Sequence, residues 1–364
     1  MAELSFSNGA GTAGGLWSPA ARIWEPVSAA TWHVLDLSRF FPVAGLHWSD
    51  MMISETRRQL AGCTNAVETA LMVELDHDIA AALPGSGADR LAWPILQSRP
   101  HLIGPALLAH MRLRAGVALL ARTSGAANGD AIAPAAEDGW LMDAADGPVA
   151  QAAVALALAE GRWSAVGGED MPMRPDLPAE HFADLIWVVA AVLGTVLSRS
   201  GALAKGQAVA AVDAAALRLL ARHDEGTGAL AGAMALARLL RIRPDHAEHL
   251  GRALSQGRTL LFAALAAERA EIGMEAVLDA LIQQPLPVLA GLCHVLGGSV
   301  SDFRHLLLRL QPVRGLDDMA LLAAAASFEA MTLEDARTAL APLRRPAELR
   351  GPLGILDGDG GCPA

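Results

Sequence analysis

Apolar side chains recur at helical spacing through most of the chain after residue 65. Val67, Leu71, Leu75 and Ile79 follow one another in four-residue steps, with acidic residues between them. This spacing places the four side chains on one face of a helix, and Pro84 ends the pattern. Further helices are predicted over 88–98, 105–122 and 148–160.

The strongest helical pattern follows Pro178. Phe182, Leu185 and Val189 belong to an apolar set with i, i+3, i+4, i+7 spacing, and apolar residues cover most of the circumference. This predicts a helix in the centre of a bundle. Its continuous apolar stretch, 185–197, has about 13 residues, whereas a bilayer needs roughly 20. No membrane span is therefore predicted.

A series of short helices is predicted after Lys205. They cover 206–223, 228–241, 245–256, 258–270, 274–284, 286–297, 300–311, 317–329 and 333–343. Ser299 with Asp302 and Thr332 with Asp335 fit the pattern of a capping box at a helix start. Short helices with one apolar stripe must bury it against their neighbours, which predicts an all-α fold. An irregular α-solenoid of HEAT-like hairpins and a compact multi-helix bundle both remain open.

Changes in composition divide the chain into five segments. The Gly- and Asn-rich run SGAANGDAIAP at 124–134 is predicted as a loop that separates two of them. The predicted division is a Gly/Trp-rich N-terminal arm at 1–48, an N-terminal helical subdomain at 49–123, an acidic loop-rich connector at 124–178, a C-terminal helical-repeat domain at 179–345 and a flexible tail at 346–364.

The charge of the chain argues against a nucleic-acid surface. The formal net charge is -11 and Lys205 is the single lysine, whereas phosphate binding depends on clustered basic side chains. Residues 124–184 hold 11 acids against 2 arginines, which indicates a solvated acidic face or a docking surface for a basic partner. Five arginines give the C-terminal half a local positive balance and a possible interaction role: Arg218, Arg222, Arg238, Arg241 and Arg243. Opposite charges of this kind predict either an attraction within one molecule or a salt-sensitive, head-to-tail self-association.

Three widely spaced cysteines, Cys63, Cys293 and Cys362, form no CxxC motif. An odd number without this spacing indicates neither a disulfide framework nor a zinc site, so reduced thiols are predicted. The chain starts without a basic leader followed by an apolar block. A cytoplasmic location is the resulting expectation.

Two short motifs resemble ligand-binding sequences but lack the necessary context. Gly9, Gly11 and Gly14 spell GxGxxG without a preceding strand, so the frame of a dinucleotide site is missing. Asp357 and Asp359 start like a calcium loop, but the chain ends before a bidentate Glu. No cofactor is predicted, and no catalytic constellation is recognised.

The histidines are the remaining candidates for chemistry. His246 and His249 lie one helical turn apart and form a possible half-site for a metal, although a surface-exposed first turn explains them as well. His77 and His223 stand beside acids, which is compatible with general-base or phosphorylated histidines and also with solvated helix ends. Cys293 sits in an apolar helix and is interpreted as a small core residue.

The chain resembles an uncharacterised bacterial family, the domain of unknown function 2336 family, over about 65–345. The resemblance rests on Val67-Glu68 with Leu71, Ala92-Trp93-Pro94, DLPAEHFADLIWVVAAVL from Asp176, HDEG from His223, and SQGRTLLFAALAAERA from Ser255. These are motifs of helix packing and helix boundaries. The resemblance implies an all-helical, repeat-like protein without a cofactor, and no activity can be transferred from the family.

Many amphipathic helices without a catalytic constellation favour a non-enzymatic scaffold that binds another protein, in regulation or signalling. A histidine-dependent enzyme or phosphotransfer module, using His77, His223 or His246, is the first alternative. A helical protein that binds an apolar ligand in a cavity under the 185–197 helix is the second. The partner remains unknown at this level.

Overall fold

The structure, a computed structural model, describes residues 49–84, 90–130, 141–142, 144, 146–243, 246–346, 349 and 353, without the side chains of 124–130 and 246–247. Within these ranges the chain forms fifteen α-helices and no β-strand, which confirms the all-α prediction. The helices are α1 (Asp50–Glu74), α2 (His77–Ala81), α3 (Ala92–Ser98), α4 (Pro105–Asp130), α5 (Gly147–Ser164), α6 (Ala179–Ser200), α7 (Lys205–Arg222), α8 (Ala229–Arg241), α9 (His246–Ser255), α10 (Thr259–Ala270), α11 (Met274–Ile282), α12 (Leu286–Val295), α13 (Val300–Arg314), α14 (Asp318–Ala330) and α15 (Leu333–Leu340). The predicted N-terminal arm, most of the tail, and the motifs at Gly9, Gly11, Gly14, Asp357 and Asp359 lie outside the described residues.

Helix α1 begins well before the start that the apolar period indicates near Asn65. The Ser49 hydroxyl accepts a hydrogen bond from the Met52 amide and caps the helix. The first half of α1 buries polar side chains, among them Glu55 and Gln59. Because polar residues occupy the buried face there, the apolar period is absent although the helix is present.

The loop predicted at 124–134 is wrong for residues 124–130, which continue helix α4 to Asp130. Each glycine in a helix interior costs about 1 kcal/mol relative to alanine. Extending an established helix is far easier than starting one, so the glycines of this run do not end it. The helix also crosses the boundary predicted at 123/124.

The buried apolar residues form two clusters. The first, the C-terminal cluster, contains residues of α5 and of α8 and the helices that follow it. The second, the N-terminal cluster, contains residues of α1, α3, α6 and α7. Helix α4 contributes to both, with Leu107 and Met111 in the N-terminal cluster and Val117 and Leu120 in the C-terminal one. This packing groups α6 and α7 with the N-terminal helices. The predicted division assigns both helices to the C-terminal domain at 179–345.

The contacts of α4 extend far beyond its neighbours in the chain. It packs against α1, α5, α6, α10, α11 and α13. In a solenoid each unit contacts only the units beside it, so the packing around α4 is that of a multi-helix bundle. Stacking of successive hairpins, the other architecture left open by the sequence, is not confirmed.

Helix α6 has the position that its sequence predicts. It starts after Pro178, buries Phe182, Leu185, Val189 and seven further side chains, and ends at Gly201 with φ 73°. Within the described residues it is the one helix long and apolar enough to cross a membrane, and 56% of its apolar window is buried inside the protein. A buried core helix passes the same length and composition test.

The connection between α5 and α6 is held against α1 and α3. The Glu169 carboxylate accepts hydrogen bonds from Trp93 Nε1 at 2.8 Å and Gln97 Nε2 at 3.1 Å. The Met173 amide donates to the Gly62 carbonyl at 2.9 Å. A Cβ at Gly62 would lie 2.5 Å from Met173 Cγ, so only glycine allows this close approach.

Both predicted capping boxes are confirmed. Ser299 and Asp302 exchange side-chain to backbone hydrogen bonds at the start of α13, and Thr332 and Asp335 do so at the start of α15. The hydrogen bonds from Ser299 lower the pKa of Asp302, and those from Thr332 lower the pKa of Asp335. Two local sequence patterns therefore fix two helix starts.

Candidate functional site

Helices α6 and α7 enclose a groove of about 630 Å³ on the surface. Two large apolar side chains line it, Trp187 with 40% of its surface exposed and Val209 with 51%. Ala190, Ala191 and Gly194 also line it, and a Cβ at Gly194 would lie 3.9 Å from the Val209 Cα. Small residues on α6 therefore leave space between two exposed apolar anchors.

The groove carries charges at its ends. Arg199, near the end of α6, and Lys205, at the start of α7, line one end. Trp187 lies twelve residues before Arg199, which corresponds to ~18 Å along a helix. Asp213, two turns into α7, also lines the groove. The groove is thus basic at the α6–α7 connection and holds an acid farther along.

The structure pairs the five predicted interaction arginines with acids of the same chain. Arg218 and Arg222 both hydrogen-bond Glu74 at the end of α1. Arg238 and Arg241 lie 4.0 and 3.7 Å from Glu268 on α10. Arg243 lies 3.4 Å from Asp146, which belongs to the acidic segment 124–184. The contact between Arg243 and Asp146 thus joins the arginine-rich part of the chain to the acidic segment within one molecule.

The predicted histidines are separated in the fold. His77 is exposed at the start of α2. His223 Nε2 lies 2.9 Å from the Leu177 carbonyl, and its ring stacks on Phe182 with centroids 3.9 Å apart. His249 is buried in α9, so the exposed first turn expected there is wrong for this residue. The side chain of His246 lies outside the description, and their joint metal half-site stays a prediction.

The described cysteines lie in apolar surroundings. Cys63 and Cys293 are both buried and unbridged. Burial, with a smaller contribution from Asp302, raises the pKa of the Cys293 thiol to about 12. Burial also raises the pKa of Cys63. Both thiols are protonated at neutral pH, as expected of core residues rather than activated nucleophiles.

A buried polar network connects α1, α4, α5 and the segment before α6. Arg114 is fully buried, and its Nη1 lies 3.1 Å from Asp176 Oδ1. Its Nε donates to Gln59 Oε1 at 2.7 Å. Trp163 Nε1 donates to Asp176 Oδ1 at 2.9 Å, and the Arg114 guanidinium carbon lies 5.0 Å from the Trp163 ring centre. Most polar groups of the network are satisfied by ion pairs and hydrogen bonds inside the fold, and Arg114 Nη1 contacts Asp176 as an ion pair without hydrogen-bond geometry.

Glu55 extends this network and makes it sensitive to acid. Burial acts to raise the pKa of Glu55, but hydrogen bonds from Arg58, Arg122 and Gln59 outweigh it, so the pKa lies below its ordinary value of 4.5. A carboxyl with a depressed folded-state pKa stabilises the protein at pH above its unfolded-state pKa. That stabilisation is lost as the pH falls through the lower folded-state pKa.

We therefore expect the wild type to lose stability below about pH 4.5 more steeply than Glu55→Gln. Urea unfolding at a series of pH values from about 7 to about 3 measures both slopes. Glu334→Gln, which removes an exposed carboxyl, serves as the control and should keep the wild-type slope. Equal slopes for wild type and Glu55→Gln would contradict the assignment.

A second polar cluster was not recognised from the sequence. His110 on α4, His181 on α6 and Glu275 on α11 each place one possible ligand atom within 4.8 Å of the others. His110 Nδ1 lies 3.4 Å from Glu275 Oε1, and the two imidazole centroids are 4.9 Å apart. Burial, followed by the proximity of His110, lowers the pKa of His181. Single histidines about 70 residues apart give no local pattern, so the sequence offered no signal.

Glu275 also lines a cleft on the surface of the described structure. The cleft has about 690 Å³ and lies between the start of α6, the start of α8, the start of α11 and the segment 343–346. Glu225, Glu271 and Glu275 supply carboxylates, and Arg344 and Arg345 supply basic groups on the opposite segment. Because Glu275 belongs to the histidine cluster and also lines the cleft, the cluster lies beside a space that is open to solvent.

The fold and these sites define an all-α protein with a surface groove and a buried cluster of metal-type donors. Residues 149–341 match the model of a family described as "Uncharacterised protein conserved in bacteria (DUF2336)". This range is more than half of the chain, so the protein belongs to that family, as the resemblance indicated. A comparison with curated proteins and one with solved structures gave no match.

Proposed function

We propose that this protein is a non-enzymatic helical scaffold that binds an amphipathic helix of a partner protein in the α6–α7 groove. The observation that carries the proposal is the groove between the exposed side chains of Trp187 and Val209. Partly exposed aromatic side chains beside small residues are typical of helix-in-groove recognition. Trp is also enriched among the residues that dominate binding energies.

The dimensions and charges of the groove favour a helical occupant. A helix of three turns is ~16 Å long, which is close to the distance between Trp187 and Arg199 along α6. Apolar side chains at i, i+3, i+4 and i+7 would lie over Ala190, Ala191 and Gly194. Acidic residues at one end of the partner helix would face Arg199 and Lys205. A partner helix of this kind satisfies both the apolar floor and the basic end.

The five arginines of the predicted interaction set remain a separate proposal. Arg238 and Arg241 keep about two thirds of their side-chain surface exposed beside Glu268. Exposed ion pairs contribute little to stability, typically about 0–1 kcal/mol. Arg238 and Arg241 therefore remain available to a partner that approaches α8. Arg218 and Arg222 are both paired with a single carboxylate, that of Glu74.

Photo-crosslinking in the producing bacterium tests the groove. A benzophenone amino acid replaces Val209 in the groove, and a second variant carries it at Leu322 on α14, which is 65% exposed and does not line the groove. We expect a defined protein adduct at position 209 that is absent at position 322, with the crosslinked peptide forming an amphipathic helix. Equal adducts at both positions, a lipid adduct, or an adduct to a second copy of this chain would contradict the proposal.

The crosslinked peptide then allows a quantitative prediction. Synthesised and titrated against the full chain, it should bind wild type and lose about thirtyfold in affinity with Trp187→Ala, since truncated hot-spot residues cost about 2 kcal/mol. Leu322→Ala is the control, because it removes an exposed apolar side chain that does not line the groove. Equal affinities for the two variants would show that Trp187 does not contribute to binding. Calorimetry supplies the measurement.

A further inference from the structure

The cluster of His110, His181 and Glu275 has the donor set of a transition-metal site. Two imidazoles and one carboxylate are the protein ligands of many zinc and non-haem iron sites, which leave one or more positions open. Mg²⁺ and Ca²⁺ prefer oxygen ligands throughout. Among the described residues, this is the group whose three donor atoms lie within 4.8 Å of one another.

The spacing of the cluster is close to that of a bound metal. A zinc ion at 2.0–2.2 Å from each ligand in tetrahedral geometry requires ligand atoms about 3.4 Å apart. His110 Nδ1 and Glu275 Oε1 already lie 3.4 Å apart. The remaining separations reach at most 4.8 Å. A shift of the His181 side chain of up to about 1.4 Å would bring the three atoms to the tetrahedral spacing.

The imidazole rings of His110 and His181 are buried and have nitrogen atoms without hydrogen-bond partners among the described residues. His110 has 3% of its surface exposed and His181 has 8%. Both ring nitrogens of His110 and Nδ1 of His181 make no hydrogen bond within the described part of the chain. Buried polar atoms are nearly always satisfied in native structures, and those that are not call for an explanation such as an ion. A metal ion would accept a lone pair from each ring.

We propose that the protein binds one divalent transition-metal ion of the zinc type through His110, His181 and Glu275. The half-exposed Glu275 carboxylate lines the 690 Å³ cleft, so the ion has an entry path. None of these three residues lines the α6–α7 groove, so the metal site does not depend on the proposed partner protein. It is also distinct from the half-site predicted at His246 and His249.

The site would join the two apolar clusters of the fold. His110 and His181 stand on segments that contribute to the N-terminal cluster, and α11 contributes to the C-terminal cluster. An ion that binds the folded state and not the unfolded chain stabilises it by mass action. Metal binding would therefore strengthen the contact between the two halves of the protein.

Titration of the metal-free full chain tests this site. After treatment with a chelator, calorimetry with Zn²⁺ should give about one ion per chain and a higher thermal midpoint than the metal-free protein. Co²⁺ should give the visible absorption bands of a four- or five-coordinate ion. Mg²⁺ at the same concentration should give neither heat nor stabilisation, because the donor set contains two imidazoles.

Variants decide which residues hold the ion. Glu275→Gln and His110→Gln should each lower the zinc affinity at least about tenfold, and Glu275→Gln is the milder change because its side chain is 43% exposed. His77→Gln and His246→Gln should leave the affinity unchanged. Absence of zinc binding in the wild type, full affinity in Glu275→Gln, or an equal response to Mg²⁺ would overturn the proposal.

Discussion

Arg114→Met should destabilise the protein by about 3–5 kcal/mol, one of the two largest effects expected of a single substitution. Removing one partner of a buried ion pair leaves the other charge with too little compensation in a region of low polarity. Asp176 would retain the Trp163 N–H, and Arg162 at 3.5 Å, but lose the fully buried guanidinium. Gln59 Oε1 would also lose its donor. Urea unfolding followed by circular dichroism measures the free energy of unfolding.

Two controls separate the buried pair from a general effect of losing an arginine. Arg304→Met removes an exposed partner of Glu329 and should cost no more than about 1 kcal/mol. The double variant Arg114→Met with Asp176→Asn should cost less than the sum of its single substitutions, since both partners are removed together. A cost for Arg114→Met similar to that of Arg304→Met, or strict additivity, would contradict the role assigned to this pair.

Glu68→Ala should destabilise the protein by about 2–4 kcal/mol and release helix α3. The Glu68 carboxylate is buried and accepts hydrogen bonds from the amides of Leu91 and Ala92, both at 2.9 Å. It therefore caps the start of α3 from a distant part of the chain. Hydrogen bonds to a charged group are worth about 1.5–3 kcal/mol each, and the amide of the buried Ala92 would be left without an acceptor.

Hydrogen exchange gives this prediction a local measurement. The amides of Leu91 and Ala92 should exchange faster in Glu68→Ala, together with those of the following turn. Glu334→Ala is the control, because Glu334 is an exposed carboxylate in the first turn of a helix; it should cost less than about 1 kcal/mol. Unchanged exchange at residues 91 and 92 would show that the carboxylate does not hold this helix.

The first of these predictions spans the boundary of the region that defines the family. The match covers 149–341, so Asp176 lies inside it and Arg114 outside it. The proposed metal ligands are divided in the same way, with His181 and Glu275 inside the range and His110 outside. The N-terminal helices therefore complete sites whose other halves lie within the matched region.

The candidate sites differ in how far the sequence predicts them. Trp187 and the small residues after it belong to a helix that the sequence identifies, but its exposed side became a groove only when α7 packed beside it. His110 and His181 gave no signal, since each is one histidine on a largely apolar helix. Their meeting depends on the packing of α4 against α6 and α11.

The sequence by itself determined the helical class, the helix after Pro178 and the starts of α13 and α15. These features depend on side-chain spacing and on capping within a few residues. The tertiary structure alone decided that α1 begins at Asp50, that α4 continues to Asp130, and that Glu68 caps α3. Buried polar side chains have no period in the sequence, and decisive partners, such as Arg122 for Glu55 and the amides of Leu91 and Ala92 for Glu68, lie tens of positions away. Their partners exist only after the helices have packed.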